Sequence, residues 1–482
     1  MPDSVLTPEP VALGDSRCCS LAEPHADPIC KGVRRRRPRP WRRRIKRFAF
    51  GIVAATSLAY LIVWWVSLRI VEHPSWPPPT DAVTPDQAQS ITEEFARHAN
   101  PRRDDVAIPY APTTASDVRL FLDGPEFFPA MLADIETANH SVHLHMFGIT
   151  EGEVARRFVD ALIARATTGI EVRMIVDSYG AKVNAESKPY FSALEAAGVQ
   201  IVVNHVFPPD RDGLYGDETL DWRMDEVGQS DHRKALVIDG LTGWVGGAGL
   251  QDHFNADTFH DVFVRVEGNV VRQVQSVFLT SFDALGGPLS GVPGALAAYF
   301  PTPAEPGTIR TTLLQNIPGG FVPGTQASRA VIEASTERLD IMNPYLTDPG
   351  MLDRIVDAAD RGVNVRLLVS KRTNNPPADA ALKHQYGRLL AAGVEIWEYP
   401  VTMHAKVTIA DNAMIVGTIN YDAWALYRNL EIALLFEDPV VAGMGVTHFV
   451  EPDIERSTPG VAPTDRGERF RHWFWDKLVY FL

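Results

Sequence analysis

An internal repeat constrains this chain more tightly than any single motif. From Asp117 the sequence runs through Val118–Leu122, Phe127–Ala138, Ser141–Ile149 and Val154–Thr167, which read as strand, amphipathic helix, buried strand and helix. Thr311–Leu314, Gln326–Ser335, Arg338–Leu346 and Met351–Ala359 repeat that order. Short matches keep the two halves in register: Gly169-Ile170-Glu171-Val172-Arg173 against Gly362-Val363-Asn364-Val365-Arg366, and Leu194–Val199 against Leu390–Val394. Strands alternating with helices predict α/β layers with a largely buried sheet in each half. We expect a first domain over 117–285, a connector over 286–307 whose apolar stretch Ala295–Phe300 dips into the interface, and a second domain over 308–455.

Each half carries one chemically loaded stretch. The first is His232-Arg233-Lys234-Ala235-Leu236-Val237-Ile238-Asp239, followed by Gly246-Gly247-Ala248-Gly249. The second is His404-Ala405-Lys406-Val407-Thr408-Ile409-Ala410-Asp411, followed by Gly417-Thr418-Ile419-Asn420. His and Lys stand two apart at the head of a strand pattern, and a period of two puts both on one face. An imidazole beside an ammonium suits phosphoryl transfer. The ring nitrogen can attack phosphorus or carry a proton, while Lys neutralises charge on the non-bridging oxygens. A double displacement needs a nucleophile on one side of phosphorus and an acid on the other, so two copies point to one shared site. Small residues such as Gly246 and Gly247 would let backbone N–H groups approach a bound phosphate. Asp261 lies 29 residues beyond His232 and Glu431 lies 27 beyond His404. These acids are candidates to accept from Nδ1–H and fix the tautomer that leaves Nε2 free.

The two stretches resemble the paired HKD motifs of the phospholipase D superfamily, and their surroundings are most similar to the bacterial cardiolipin synthase branch. Val264-Arg265-Val266-Glu267-Gly268 after the first motif, and Asn420-Tyr421-Asp422 with Asn429-Leu430-Glu431 after the second, carry this likeness across roughly residues 117–440. The resemblance implies two tandem phospholipase D-like α/β domains forming a pseudo-dimer around one active site. It places His232, Lys234, His404 and Lys406 in the catalytic set with Asp239 and Asp411, puts Thr418 and Asn420 in the polar pair after the second motif, and gives Glu431 the role of supporting a histidine. This chain departs from the pattern at Gly249, where the family usually has Asn, and at Trp424-Ala425, where cardiolipin synthases often show Arg-Ser.

Read from the residues alone, Asp239 and Asp411 end strands and suit a turn or an ion pair better than substrate contact. No metal or other cofactor is expected. His-x-Lys puts a cation where a second metal ligand would stand, and Cys18, Cys19 and Cys30 all lie far upstream.

Outside the repeat, charge and hydropathy divide the chain. Residues 1–47 hold 12 Lys or Arg against 5 acids, so a total of −14 leaves −21 for the remainder. The tail reads as a disordered basic cytoplasmic segment. Phe48–Leu68 is an uncharged run of 21 residues, long enough for a hydrocarbon core of about 30 Å. The basic residues before it place the N-terminus in the cytoplasm and the catalytic part outside, on a single transmembrane helix at the cell membrane. A cleaved or twin-arginine signal is the competing reading, since Arg43-Arg44 precede the run. Residues 69–116 read as a linker with a Pro-rich spacer and one short helix over Thr84 to Phe95. The offset between halves shrinks from about 194 upstream to 172 between the histidines, mostly through an insertion near Phe207–Gln229. The aromatic tail 456–482 either lies in the membrane interface or packs on the second domain.

The expected activity is a membrane-anchored phosphatidyltransferase or phospholipase D acting on glycerophospholipids, with the bilayer and its lipids as partners. An extracytoplasmic nuclease is the alternative. Nucleic-acid binding draws on a basic surface, and a segment at −21 is a poor match for it.

Overall fold

The computed structural model describes residues 110–181, 187–204, 230–289, 295–317 and 322–479. The basic tail, the apolar run 48–68, the Pro-rich spacer, the short helix expected before residue 100 and the 207–229 insertion lie outside the described residues. Among the described residues no helix is long and apolar enough to cross a membrane.

In chain order the strands are β1 (Thr113–Ala115), β2 (Asp117–Leu122), β3 (Ser141–Met146), β4 (Glu171–Asp177), β5 (Gln200–Asn204), β6 (Lys234–Ile238), β7 (Thr242–Gly246), β8 (Phe259–His260) and β9 (Val262–Glu267). They continue as β10 (Ile309–Asn316), β11 (Arg338–Met342), β12 (Asn364–Ser370), β13 (Glu395–Tyr399), β14 (Thr402–Met403), β15 (Val407–Ala410), β16 (Ala413–Gly417), β17 (Glu431–Glu437) and β18 (Thr458–Pro459). One sheet has the order β2-β9-β7-β6-β3-β4-β5, and the other contains β10-β17-β16-β15-β11-β12-β13. The two orders coincide strand for strand. In each sheet three strands run parallel through helical crossovers and the motif strand pairs antiparallel with its neighbours.

The second sheet is longer because it recruits outlying chain. β1, in a stretch expected to be a connector, pairs antiparallel with β10 from Thr113 opposite Thr311, and β18 closes the far edge against β13. The Ala295–Phe300 stretch buries Tyr299 and Phe300 with Phe278, Phe282, Ile175 and Val202. It therefore covers the first sheet instead of dipping into the interface between halves.

Packing follows the period of two. In β6, Val237 joins a core shared with Val407, Ile409 and Leu434 of the second sheet, while Leu236 and Ile238 face the outer helices Asp123–Thr137 and Glu153–Thr167. The shared core also draws on the helix Val270–Ala284 and on Val441, Phe449 and Val450. At about 25 cal/mol per Å² of apolar surface, such a core binds the halves into one body, and all described residues belong to a single compact unit.

The motif aspartates sit at the far ends of their strands. Asp239 and Asp411 have φ of 55° and 49°, in the left-handed region that opens the turn to the next strand. The Asp239 carboxylate accepts from the backbone N–H groups of Asn139, His140 and Ser141 at 2.7–2.9 Å. Asp411 does the same for Thr336, Glu337 and Arg338 at 2.9 Å. A strand of five residues spans about 17 Å, so neither carboxylate reaches the histidine end. Their place in the catalytic set is therefore corrected. Each acid fixes the loop that leads into the neighbouring strand, because three converging N–H groups would otherwise lack acceptors.

Backbone N–H donors hold the Asp411 carboxyl below the usual carboxylate range. Its stabilising effect is therefore present above its unfolded pKa and is lost as pH falls through the lower folded value. Asp411→Ala should lower stability by roughly 1–3 kcal/mol while the folded protein keeps the imidazole NMR signals of His232 and His404; denaturant melts and nitrogen-15 spectra on the same preparation check both.

Candidate active site

Each histidine is tied by its backbone to the opposite half. Asp231 bridges in parallel to Leu430, His232 N–H donates to Leu430 O at 2.9 Å, and Leu430 N–H donates to Ser230 O at 2.9 Å. In the mirrored arrangement β14 pairs in parallel with β8, setting Met403 opposite His260, and His404 N–H donates to His260 O at 2.7 Å. The next residues in the two partner segments are Glu431 and Asp261.

The supporting acids are consequently exchanged. His232 Nδ1 lies 3.0 Å from both carboxylate oxygens of Glu431. His404 Nδ1 lies 2.6 Å from Asp261 Oδ2. Linear spacing alone would leave each acid with the histidine of its own copy; strand pairing across the halves makes the exchange. A carboxylate on Nδ1 selects the tautomer with the proton there and leaves Nε2 as the exposed base. Lys406 Nζ also lies 2.8 Å from His404 Nδ1, but that nitrogen cannot donate to Asp261 and accept from Lys406 at once. The shorter, charge-assisted contact to the carboxylate decides the proton's place, and Lys406 donates to the His404 carbonyl instead. Lys234 does likewise, reaching His232 O at 2.6 Å.

These groups form one electrostatic cluster. Burial, then the Lys234 and Lys406 charges, hold the His232 pKa well below the ordinary value; burial and the same two lysines do so for His404, where His232 adds to the effect. Burial also lowers Lys234 to about 7 and Lys406 to about 8. It raises Asp261 to about 6 and Glu431 to about 8, against the pull of both lysines. Two neutral imidazoles and two reluctant ammoniums make a cluster whose charge balance favours a nearby anion.

The remaining expected positions divide. The Thr418 hydroxyl donates to Glu431 and accepts from Ile432 N–H at 3.0 Å, so it orients the acid. Asn420 is buried, and its Oδ1 has no partner among the described residues. Gly246 and Gly247, where phosphate contact is expected, stand against the acid strand, and Gly247 N–H donates to Val262 O at 3.1 Å. A Cβ at Gly247 would stand 2.2 Å from Asp261 Oδ1, and one at Gly246 would stand 2.4 Å from the Phe263 ring. Their smallness makes room for the acid strand. At Gly249 the vacant side-chain space is taken by Gln251, whose Oε1 lies 2.9 Å from the Cβ position.

Several functional neighbours escaped sequence reasoning. Phe147 sets its ring edge-on to His232 at 4.8 Å and lies 4.6 Å from Lys234 Nζ. Tyr345 and Phe254 flank His404 at 6.5 and 5.1 Å. His260 bridges Asp123 at 2.9 Å and Asp453 at 2.7 Å, one acid from each half, and although burial opposes its charge those two partners raise it to about 9. It thus stays cationic beside Asp261 and, through its carbonyl, holds the His404 backbone. The only linear hint of that role was the pair His260-Asp261.

The family model described as "Cardiolipin synthase, PLD-like domain" matches residues 131–282 and 329–451, more than half of the chain. A cardiolipin synthase from Geobacillus kaustophilus is 28% identical over 327 residues, 66% of this chain and 62% of that protein. This chain thus matches less than two thirds of that relative's length. A cardiolipin synthase from Halalkalibacterium halodurans is 28% identical over 374 residues, 75% and 69% of the two chains. Among solved structures, phosphatidylserine synthase from Haemophilus influenzae superposes with a TM-score of 0.59 at 12% identity, covering 81% of this chain and all of that one. This is a likeness of fold.

Removing a carboxylate takes away the charge that favours its own imidazolium. It also removes the acceptor of the Nδ1 proton, so Asp261→Asn should shift the tautomer of His404 and not that of His232, and Glu431→Gln should do the converse. Nitrogen-15 NMR of the two rings, assigned with His→Gln variants, reads the tautomers directly; a tautomer change confined to the histidine of the acid's own half would refute the exchange.

Proposed function

This chain belongs to the cardiolipin synthase, phospholipase D-like domain family, and on that premise we propose that it is a membrane-anchored phosphatidyltransferase. It cleaves a glycerophospholipid phosphodiester through a phosphohistidine and passes the phosphatidyl group to an alcohol, with phosphatidylglycerol as both donor and acceptor in the sharpest form. The observation that carries the reading is the reciprocal pairing of His232 with Glu431 and His404 with Asp261 in one buried cluster with two lysines.

The steps follow from the charges. The diester anion enters between Lys234 and Lys406, displaces their bonds to the histidine carbonyls and offsets the positive field that keeps both imidazoles neutral. One histidine can then hold a proton. His404 is the better suited, because Asp261 remains an anion to lower pH than Glu431 and its bond to the ring is shorter. His232 Nε2 attacks phosphorus, and the P–O bond to the leaving glycerol breaks as His404 gives that oxygen its proton. The acceptor hydroxyl next returns a proton to His404 and attacks phosphorus, and the P–N bond to His232 breaks. The lysines stabilise the equatorial oxygens in both steps. All the charge stabilisation in this scheme comes from side chains of the chain itself.

The apolar run 48–68 serves as the anchor in this reading, with the catalytic part outside the membrane and lipid headgroups within its reach. The acidic bias of residues 48–482 favours a lipid over a nucleic acid.

Purified full-length enzyme should convert labelled phosphatidylglycerol in the presence of EDTA and leave DNA intact; cleavage of DNA with lipid untouched would replace this reading by the nuclease one. Acid-quenched enzyme should carry the phosphatidyl group on His232. His404→Gln should lower turnover by about 10²–10⁴-fold, and trapping on His404 instead would reverse the two roles.

A further inference from the structure

The C-terminal helix Arg466–Asp476 is amphipathic in an unusual sense. One face packs against the helix Pro376–Ala391: His472 is buried, and Asp476 bonds Gln385 and lies 3.9 Å from His384. The opposite face leaves three large apolar rings in solvent, Phe470 at 65%, Trp473 at 44% and Phe474 at 43% exposed. At about 100° per residue, Arg466, Arg469 and Lys477 fall in the same arc as these rings, roughly 140° wide. The acids of this segment lie off that arc. Asp465 caps the helix by accepting from Glu468 N–H at 2.9 Å, and Glu468 and Asp476 point towards the packed side. Among the described residues Arg466 and Arg469 enter no ion pair, whereas Lys477 shares its charge with Asp476 at 2.7 Å.

Solvation alone would not select such a face. Exposed aromatic rings cost free energy in water, and a Trp ring bordered by cations suits the boundary between anionic headgroups and acyl chains. The helix runs in the same direction as Pro376–Ala391, with His472 in the field of Asp379 and, one turn on, Asp476 bonded to Gln385. It runs alongside Pro376–Ala391, which begins just past Asn374; Asn374 accepts from the Tyr345 hydroxyl at 2.6 Å, and the Tyr345 ring stands edge-on to His404.

We propose that this face, Phe470, Trp473 and Phe474 with Arg466 and Arg469, docks on the surface of an anionic phospholipid bilayer and holds the catalytic end of the second half against it. The proposal rests on the lipid reading above and adds to it a second membrane contact, separate from the apolar run 48–68. That run can only tether the enzyme, whereas the helix face sets its orientation.

Full-length enzyme is reconstituted into phosphatidylcholine vesicles with and without phosphatidylglycerol, each containing brominated lipid, and tryptophan quenching is compared between wild type and Trp473→Phe. We expect a share of the quenching to vanish in the variant, and a larger share when phosphatidylglycerol is present; identical quenching in both proteins overturns the proposal. A Phe470→Ser/Trp473→Ser/Phe474→Ser variant, checked for folding by circular dichroism, should hydrolyse or transfer monomeric dihexanoyl-phosphatidylglycerol as wild type does. On vesicular phosphatidylglycerol it should be about tenfold slower. Equal losses on both substrates would mark the rings as structural and overturn the docking. Sedimentation that shows the triple variant losing an oligomer, with quenching unaffected, would assign the face to a second copy and likewise overturn it. Turnover of neither lipid form, with quenching still dependent on Trp473, would refute the enzymatic reading and leave the docking standing.

Discussion

Everything in this molecule depends on two carboxylates that cross between halves. A histidine on one sheet cannot hold the correct tautomer without an acid delivered by the other, and the delivery is made by backbone pairing. Residues 230–232 lie along Leu430, and 402–404 lie along 259–260. The shared apolar core behind the site, built from Val237, Val407, Leu434 and their neighbours, keeps these segments in register. Neither half alone pairs its motif histidine with the acid that supports it.

The cost of this arrangement is electrostatic. Two lysines, two imidazoles and two carboxylates are almost fully buried, and desolvation is the first cause of every shift among them. Mutual attraction offsets part of that penalty, as expected for paired charges in a medium of low dielectric. The residual imbalance falls on the positive side, where lysines turned inward to their own carbonyls await a better acceptor. In the proposed reaction an anionic diester supplies it, so that substrate binding and relief of the unbalanced charge would be one event.

The three letters of the repeated motif serve two purposes at opposite ends of a strand. His and Lys work at the head, in the cluster. Asp works at the foot, gathering three backbone N–H groups from the loop before the adjacent antiparallel strand. The glycines behind the first motif also proved architectural, since any Cβ at Gly247 would displace Asp261. His260 extends the same logic as a buried cation that ties acids of both halves together directly beside that carboxylate.

Linear order was enough to reveal the repeated strand and helix sequence, the α/β class, the His and Lys positions and even the two acids, because local periodicity and spacing survive in a chain read one residue at a time. It gave Asp239 and Asp411 their strand-end turn role as well, once the motif's reputation was set aside. It did not reveal which acid serves which histidine, that β1 joins the second sheet, or that Ala295–Phe300 covers the first. Nor did it mark Phe147, Tyr345, Asp123 and Asp453 as neighbours of the site. These are contacts between residues distant in sequence, or pairings chosen among several strands of similar pattern. Only the packing of two sheets over one core decides them, because register across the halves is set by the whole buried surface and by no single segment.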